Sequence, residues 1–89
     1  MKYLTDEAIE QKILEEMKFS LSLNGQPDLN ASLKDDLCLD SLDFIELIMV
    51  IESCLDVEID DSILEDLETV GDLVSKCTEL YRSQNENRR

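Results

Sequence analysis

Residues 40–43 read Asp-Ser-Leu-Asp, a serine set between two aspartates at the mouth of a strongly apolar segment. A serine hydroxyl becomes a nucleophile only when a base stands nearby, most often a histidine. The chain contains no histidine. Self-contained Ser-His-Asp catalysis is thereby excluded, no catalytic residue is assigned, and Ser41 is left with two readings. Asp-Ser before an apolar run is commonly a plain helix cap. Alternatively, Ser41 is itself a substrate. A helix N-terminus favours an anion through its free N–H groups and dipole, so an exposed serine there can accept a phosphate-linked group supplied by another enzyme.

The other groups of chemical interest point to no second site. Cys38, Cys54 and Cys77 form an odd set without C-x-x-C spacing. Lacking histidine, they make neither a zinc site nor a closed disulfide framework, and they read as free thiols used in packing. Beside Asp40, the Cys38 thiolate is disfavoured by like charge. The most calcium-like stretch is DVEIDDSILEDLE, Asp56 to Glu68, where Asp61 occupies the place an EF-hand gives to glycine and Leu67 that of the bidentate glutamate. It is rejected as an EF-hand, no metal ligands are expected, and only weak divalent binding by the acidic surface is left.

With 89 residues the chain is one domain, large enough to bury roughly 60 to 65% of its unfolded surface in a single small core. Its composition, 43% hydrophobic and 34% charged, is that of a soluble globular protein. No apolar run approaches the roughly 20 residues that a membrane span needs. The N-terminal MKYLTDEAIEQK is acidic and amphipathic, unlike a secretory signal, and a cytoplasmic location is expected. The net charge of −14 is uneven: Asp35 to Ser75 contains fourteen acids and no Lys or Arg, while the two flanks taken together are neutral. Such a field repels nucleic acid and suits a partner with Arg and Lys at its docking surface, although an acidic surface also serves solubility alone.

The periodicity predicts helices and no strand. Thr5 reads as an N-cap, with Leu4 placed to staple against Ile9, and a first helix runs to about Phe19 on the stripe Ile9, Ile13, Leu14, Met17 and Leu21. Ser22 to Asp40 is turn-rich text with the only proline and one of the two glycines. This is a long ordered loop, pinned by Leu29, Leu33 and Leu37, of a length more often functional than decorative. Asp60 or Asp61 can cap a short helix through Leu67. Thr69-x-x-Asp72 resembles a capping box and opens a last helix on Val70, Leu73, Val74, Cys77, Leu80 and Tyr81. The expected architecture is all-α: a small four-helix bundle of three longer helices and one short one. Residues 1–82 form the domain and 83–89, SQNENRR, a polar flexible tail.

The second helix carries two apolar stripes. Phe44, Leu47, Ile48, Ile51 and Leu55 fall within about 100° of one another and suit a bundle core. Leu42, Ile45 and Met49 lie roughly opposite, framed by Asp43, Glu46, Glu52 and Ser53. One core cannot take both stripes. The second is either covered by the loop or another helix, or it is a docking surface where carboxylates surround an apolar centre.

The order of elements resembles that of the acyl carrier proteins, and so does the text: Ala31-Ser32-Leu33, Asp36-Leu37, Asp40-Ser41-Leu42-Asp43, Glu46-Leu47-Ile48-Met49, Glu58-Ile59 and Thr69-Val70. The match covers most of the chain. The resemblance implies that Ser41 carries 4′-phosphopantetheine, donated by coenzyme A, through a phosphodiester, with Asp40 as the neighbouring signature acid. It implies that Leu42, Asp43, Ile45, Glu46, Met49 and Glu52 face partners: a phosphopantetheinyl transferase and acyl-processing enzymes with basic docking surfaces. The protein would then be a monomeric carrier, not an enzyme, shuttling thioester-bound acyl groups in fatty acid or polyketide-type synthesis. Carriage of aminoacyl or other specialised groups is the alternative within the family, and an unmodified acidic helical interaction protein is the alternative outside it. Cys38 stands where the family commonly has glycine, so the turn before Ser41 must avoid positive φ or tolerate strain. Phe44 replaces a usually smaller residue and Asp60 a frequent proline.

Overall fold

Thr5 has extended backbone and its Oγ1 accepts the Ala8 N–H at 3.1 Å, so a first helix, α1, starts at once and spans Asp6–Ser20. Asp6 and Glu7 in its first turn and Lys18 in its last complement the helix dipole. In this computed structural model, which describes residues 4–86, two further α-helices follow: α2, Ser41–Leu55, and α3, Val70–Glu86. The described residues contain no strand, only an isolated antiparallel bridge between Ser32 and Thr69.

Helix α1 packs against both α2 and α3. Each of the three buries most of the stripe its periodicity predicts; Leu21, which follows the end of α1, and Leu80 are only half-buried. Ile9, Ile13 and Met17 of α1, Leu47, Ile48 and Ile51 of α2, and Val70, Leu73 and Cys77 of α3 are all 2% exposed or less. Burial of each large aliphatic side chain contributes about 1.5–3 kcal/mol, which holds a domain this small together. Burial also pushes the Cys77 thiol up to about 12, leaving it protonated and inert.

The expected short fourth helix is not an α-helix. Asp61–Asp66 forms a 3-10 helix, entered through an Asp60 carboxylate that accepts the Ser62 N–H at 2.9 Å and an Asp60 carbonyl that accepts the Ile63 N–H at 3.1 Å. Six residues are too few to offset α-helix nucleation, and three-residue hydrogen bonding suits so short a connector. Val57, Ile59 and Leu67 around it are buried, so both of its ends are anchored in the core.

The long loop is stitched to the start of α3. Leu33 N–H donates to the Glu68 carbonyl (2.9 Å), Val70 N–H to Ala31 (3.0 Å) and Gly71 N–H to Leu29 (2.8 Å). Glycine eases that last approach, since a Cβ at Gly71 would stand 3.1 Å from the Leu29 oxygen and the loop would have to give by a few tenths of an ångström. Of the leucines expected to pin the loop, Leu33 is buried, Leu37 is half-buried and Leu29 is 37% exposed, while the buried Leu39 does more of the anchoring than its text suggests. The predicted capping box is present: Thr69 Oγ1 accepts the Asp72 N–H, and Asp72 Oδ2 accepts the N–H groups of Thr69 and Glu68, each at 3.1 Å. These backbone donors, Thr69 first, hold the Asp72 carboxyl below its ordinary value.

At the other end of the bundle the Leu4 N–H donates to the Tyr81 hydroxyl at 3.0 Å, and Arg82 pairs with Asp6 across the two termini. Helix α3 continues to Glu86, so residues 83–86 of the expected tail are helical; residues 87–89 lie outside the described residues. No described helix is long and apolar enough to cross a membrane.

Candidate functional site

Asp40 is the cap of α2. Its backbone is extended and its Oδ1 accepts the Asp43 N–H at 2.8 Å, so the helix begins at Ser41. Because Asp40 does the capping, Ser41 does not have to. The Ser41 side chain is exposed, and among the described residues its hydroxyl makes no hydrogen bond. A primary alcohol thus stands at the positive end of a 15-residue helix with nothing competing for it.

The turn that delivers it is tightly built. Ser32 Oγ accepts the Asp35 N–H at 3.0 Å, Asp36 Oδ2 accepts the Ser32 N–H at 2.7 Å, and the Ser32 carbonyl accepts from Asp36 and Leu37, each at 3.0 Å. Leu39 N–H then donates to the Leu33 carbonyl at 3.1 Å, which turns Leu39 into the core and leaves Asp40 and Ser41 outside. Cys38 takes φ 55°, so the strain that a glycine would have relieved is tolerated. Left-handed backbone costs a residue with a Cβ about 1–2 kcal/mol. Exposed Cys38 recovers little of this, its Sγ lying 3.8 Å from the Asp35 carbonyl oxygen.

Beside Ser41 lies a cavity of about 290 Å³, lined by Leu33, Leu39, Phe44 and Leu67 on its apolar side and by Lys34, Asp40, Ser41 and Glu65 at its polar side. A larger hollow, about 420 Å³, lies between α1 and α3, but its walls include Asp6, Glu10, Glu79 and Arg82. Chemistry, not size, distinguishes the first. The sequence does not mark Leu39, Lys34 and Glu65 as neighbours of Ser41. The only local signal is the continuity of Leu33-Lys34 with the loop text, and the approach of Glu65 depends on the fold.

The two stripes of α2 separate as the periodicity requires. Phe44, Leu47, Ile48, Ile51 and Leu55 are buried. Leu42, Ile45 and Met49 are 64%, 37% and 61% exposed, three of the five exposed large hydrophobics among the described residues. Neither the loop nor a neighbouring helix covers them. Asp43 and Glu46 are exposed beside them. Glu52 is only half-exposed, because its Oε2 accepts the Ile59 N–H at 2.8 Å and ties α2 to the connector that follows.

A carrier domain is defined by such a site: a free hydroxyl to be esterified, an adjoining apolar cavity, and a helix face left open. Residues 9–77 match the family model for the phosphopantetheine attachment site. The chain is 38% identical over 72 residues to an acyl carrier protein of Prochlorococcus marinus (strain MIT 9515), covering 80% of this chain and 90% of that protein. It is 42% identical over 69 residues to an acyl carrier protein of Clostridium perfringens (strain SM101 / Type A), covering 76% and 91%. The chain belongs to the acyl carrier protein family, whose members are carriers rather than catalysts, and its cofactor is 4′-phosphopantetheine. The residues beside the cavity fit that group: an unengaged hydroxyl can take the ester, and apolar walls can receive what the arm bears.

Proposed function

We propose that Ser41 is the attachment residue and that the protein holds acyl intermediates as thioesters while enzymes of fatty acid or polyketide-type synthesis act on them in turn. When bound, the arm supplies a terminal thiol. The reading rests above all on the exposed, unbonded Ser41 hydroxyl at the start of α2. The chain has no histidine and no described side chain hydrogen-bonds the Ser41 hydroxyl, so the base that takes its proton comes from the transferase. Ser41 Oγ then bonds to the phosphorus, and the nucleotide part of coenzyme A departs. Asp40 keeps the helix start in register by capping Asp43, and Leu42, Asp43, Ile45, Glu46 and Met49 offer partners an apolar centre ringed by carboxylates. Glu52 borders that surface with one oxygen already engaged. Partners are enzymes with basic docking surfaces, which the acidic middle of the chain steers inward.

Incubation with coenzyme A and a carrier-protein phosphopantetheinyl transferase, read by intact mass, tests the assignment. Wild type gains one phosphopantetheine and Ser41→Ala gains none. An adduct on the alanine variant would remove Ser41 from the mechanism.

A further inference from the structure

The cavity beside Ser41 has one cationic group in its wall, Lys34. Between there and Ser75 the chain has no other base. Its neighbours are acids: Asp35 and Asp36 in sequence, Asp40 and Glu65 across the cavity. Yet Lys34 makes no ion pair with any of them. The ion pairs among the described residues are Lys76 with Glu79 and Arg82 with Asp6, and the Lys34 ammonium hydrogen-bonds none of the described residues. Asp36 is already held by the Ser32 N–H and Asp40 by the Asp43 N–H. An uncommitted ammonium therefore lines the same cavity as an uncommitted hydroxyl.

Esterification of that hydroxyl places a permanent negative charge there. A phosphodiester on Ser41 would stand beside Asp40, Asp43 and Glu65, and Asp40 has already taken one first-turn N–H of α2. The helix dipole opposes only part of that repulsion, since its effect at an exposed terminus is modest and screened. Lys34 is the one side chain placed to offset the rest. We propose that Lys34 is a positioning residue for the cofactor: it pairs with the phosphodiester on Ser41 and holds the root of the arm on the cavity side of α2, away from the Leu42, Ile45 and Met49 face. The proposal rests on Ser41 being the attachment residue. It concerns the loaded protein, because in the unloaded one Lys34 has no ion-pair partner among the described residues.

The test compares wild type, Lys34→Met, Lys34→Arg and a control of equal charge, Lys12→Met, on the exposed part of α1. Intact mass first establishes that each carries one arm on Ser41; an unmodified Ser41 in wild type overturns the attachment reading and this proposal together, and is seen at that step. Phosphorus NMR and thermal unfolding are then recorded for unloaded and loaded forms at low and at about 1 M salt, where screening acts within about 3 Å. Loading is expected to lower the unfolding midpoint of Lys34→Met by about 2–4 °C more than that of wild type or Lys12→Met at low salt. Lys34→Arg should behave as wild type. The phosphorus resonance should shift in Lys34→Met alone, and both differences should shrink in high salt. Equal loading effects in Lys34→Met and Lys12→Met, with an unmoved phosphorus resonance, would overturn it. So would an unloaded Lys34→Met that has already lost the same stability, since the ammonium would then serve the protein without its arm.

Discussion

The inner and outer faces of α2 are built from the same kind of residue and put to opposite uses. Leu47 and Ile51 are fully buried in the core that α2 shares with α1 and α3, whereas Leu42, Ile45 and Met49, a quarter-turn or more away, are left in water. Apolar area in water contributes nothing to folding and is a liability for aggregation unless a partner covers it. The difference shows that hydrophobicity alone does not decide what is core. Helical phase does, and phase is written in the spacing of the residues along the chain.

That contrast is most easily broken from the inside. Leu47→Ala or Ile51→Ala should leave a cavity and cost about 2 to 5 kcal/mol, much of what so small a domain has, so these variants should be loose or unfolded by circular dichroism. Glu52, on the border between the faces, comes next. Glu52→Ala removes the acceptor of the Ile59 N–H and should cost about 1–3 kcal/mol by denaturant titration. Glu52→Gln keeps an acceptor and should retain most of that stability while losing the charge. If Glu52→Ala weakened partner binding without destabilising the fold, the residue would belong to the outer face after all.

At the entrance to α2 the expected change has the opposite sign. Cys38→Gly relieves the left-handed backbone at φ 55° and should raise stability by up to about 1 kcal/mol, part of the relief being lost to glycine's freer unfolded chain. A loss of stability there would mean that the Cys38 side chain contributes packing beyond its contact with Asp35. The smallest effect on folding belongs to the outer face. Ile45→Ala and Met49→Ala should change stability by less than about 1 kcal/mol yet weaken binding to the transferase or an acyl-processing enzyme. Glu46→Lys should likewise spare the helical signal and slow association, most visibly at low salt. Unfolding of Ile45→Ala as severe as that of Leu47→Ala would collapse the distinction between the faces.

Legible in the sequence is whatever one helix or one turn determines by itself. The stripes of α1, α2 and α3, the Thr5 cap and the Thr69–Asp72 box all depend on residues within a few positions of each other. The Asp40–Ser41 start of α2 is legible for the same reason, although the text does not tell which of the two residues caps, since both are good caps. The features that escape such a reading join distant residues. Glu65 and Lys34 meet around one cavity, Glu52 reaches Ile59 across a chain reversal, and the loop backbone pairs with the start of α3. Hydrophobic period carries no information about such meetings. The 3-10 helix escapes for another reason: an acid-rich six-residue stretch has the composition of a short α-helix but not the length to nucleate one.

The Thr69–Asp72 box makes one carboxylate a clasp for two separate pieces of chain. Asp72 holds the N–H groups of Glu68 and Thr69, and the Glu68 carbonyl in turn receives the amide of Leu33, a wall of the cavity beside Ser41. Since the Asp72 carboxyl is held below its ordinary 3.8, its contribution is complete above that value and is lost as pH falls through the lower folded value. Acidification through that range should therefore loosen the first turn of α3 and the cavity wall as one opening event. In amide hydrogen exchange, Leu33 and Val70 should lose protection together as the solution is acidified, after correction for the intrinsic exchange rate. In Asp72→Ala both should already be less protected at neutral pH and respond less to acid. Independent opening of the two amides would mean that the clasp holds α3 alone, and that the cavity keeps its shape without it.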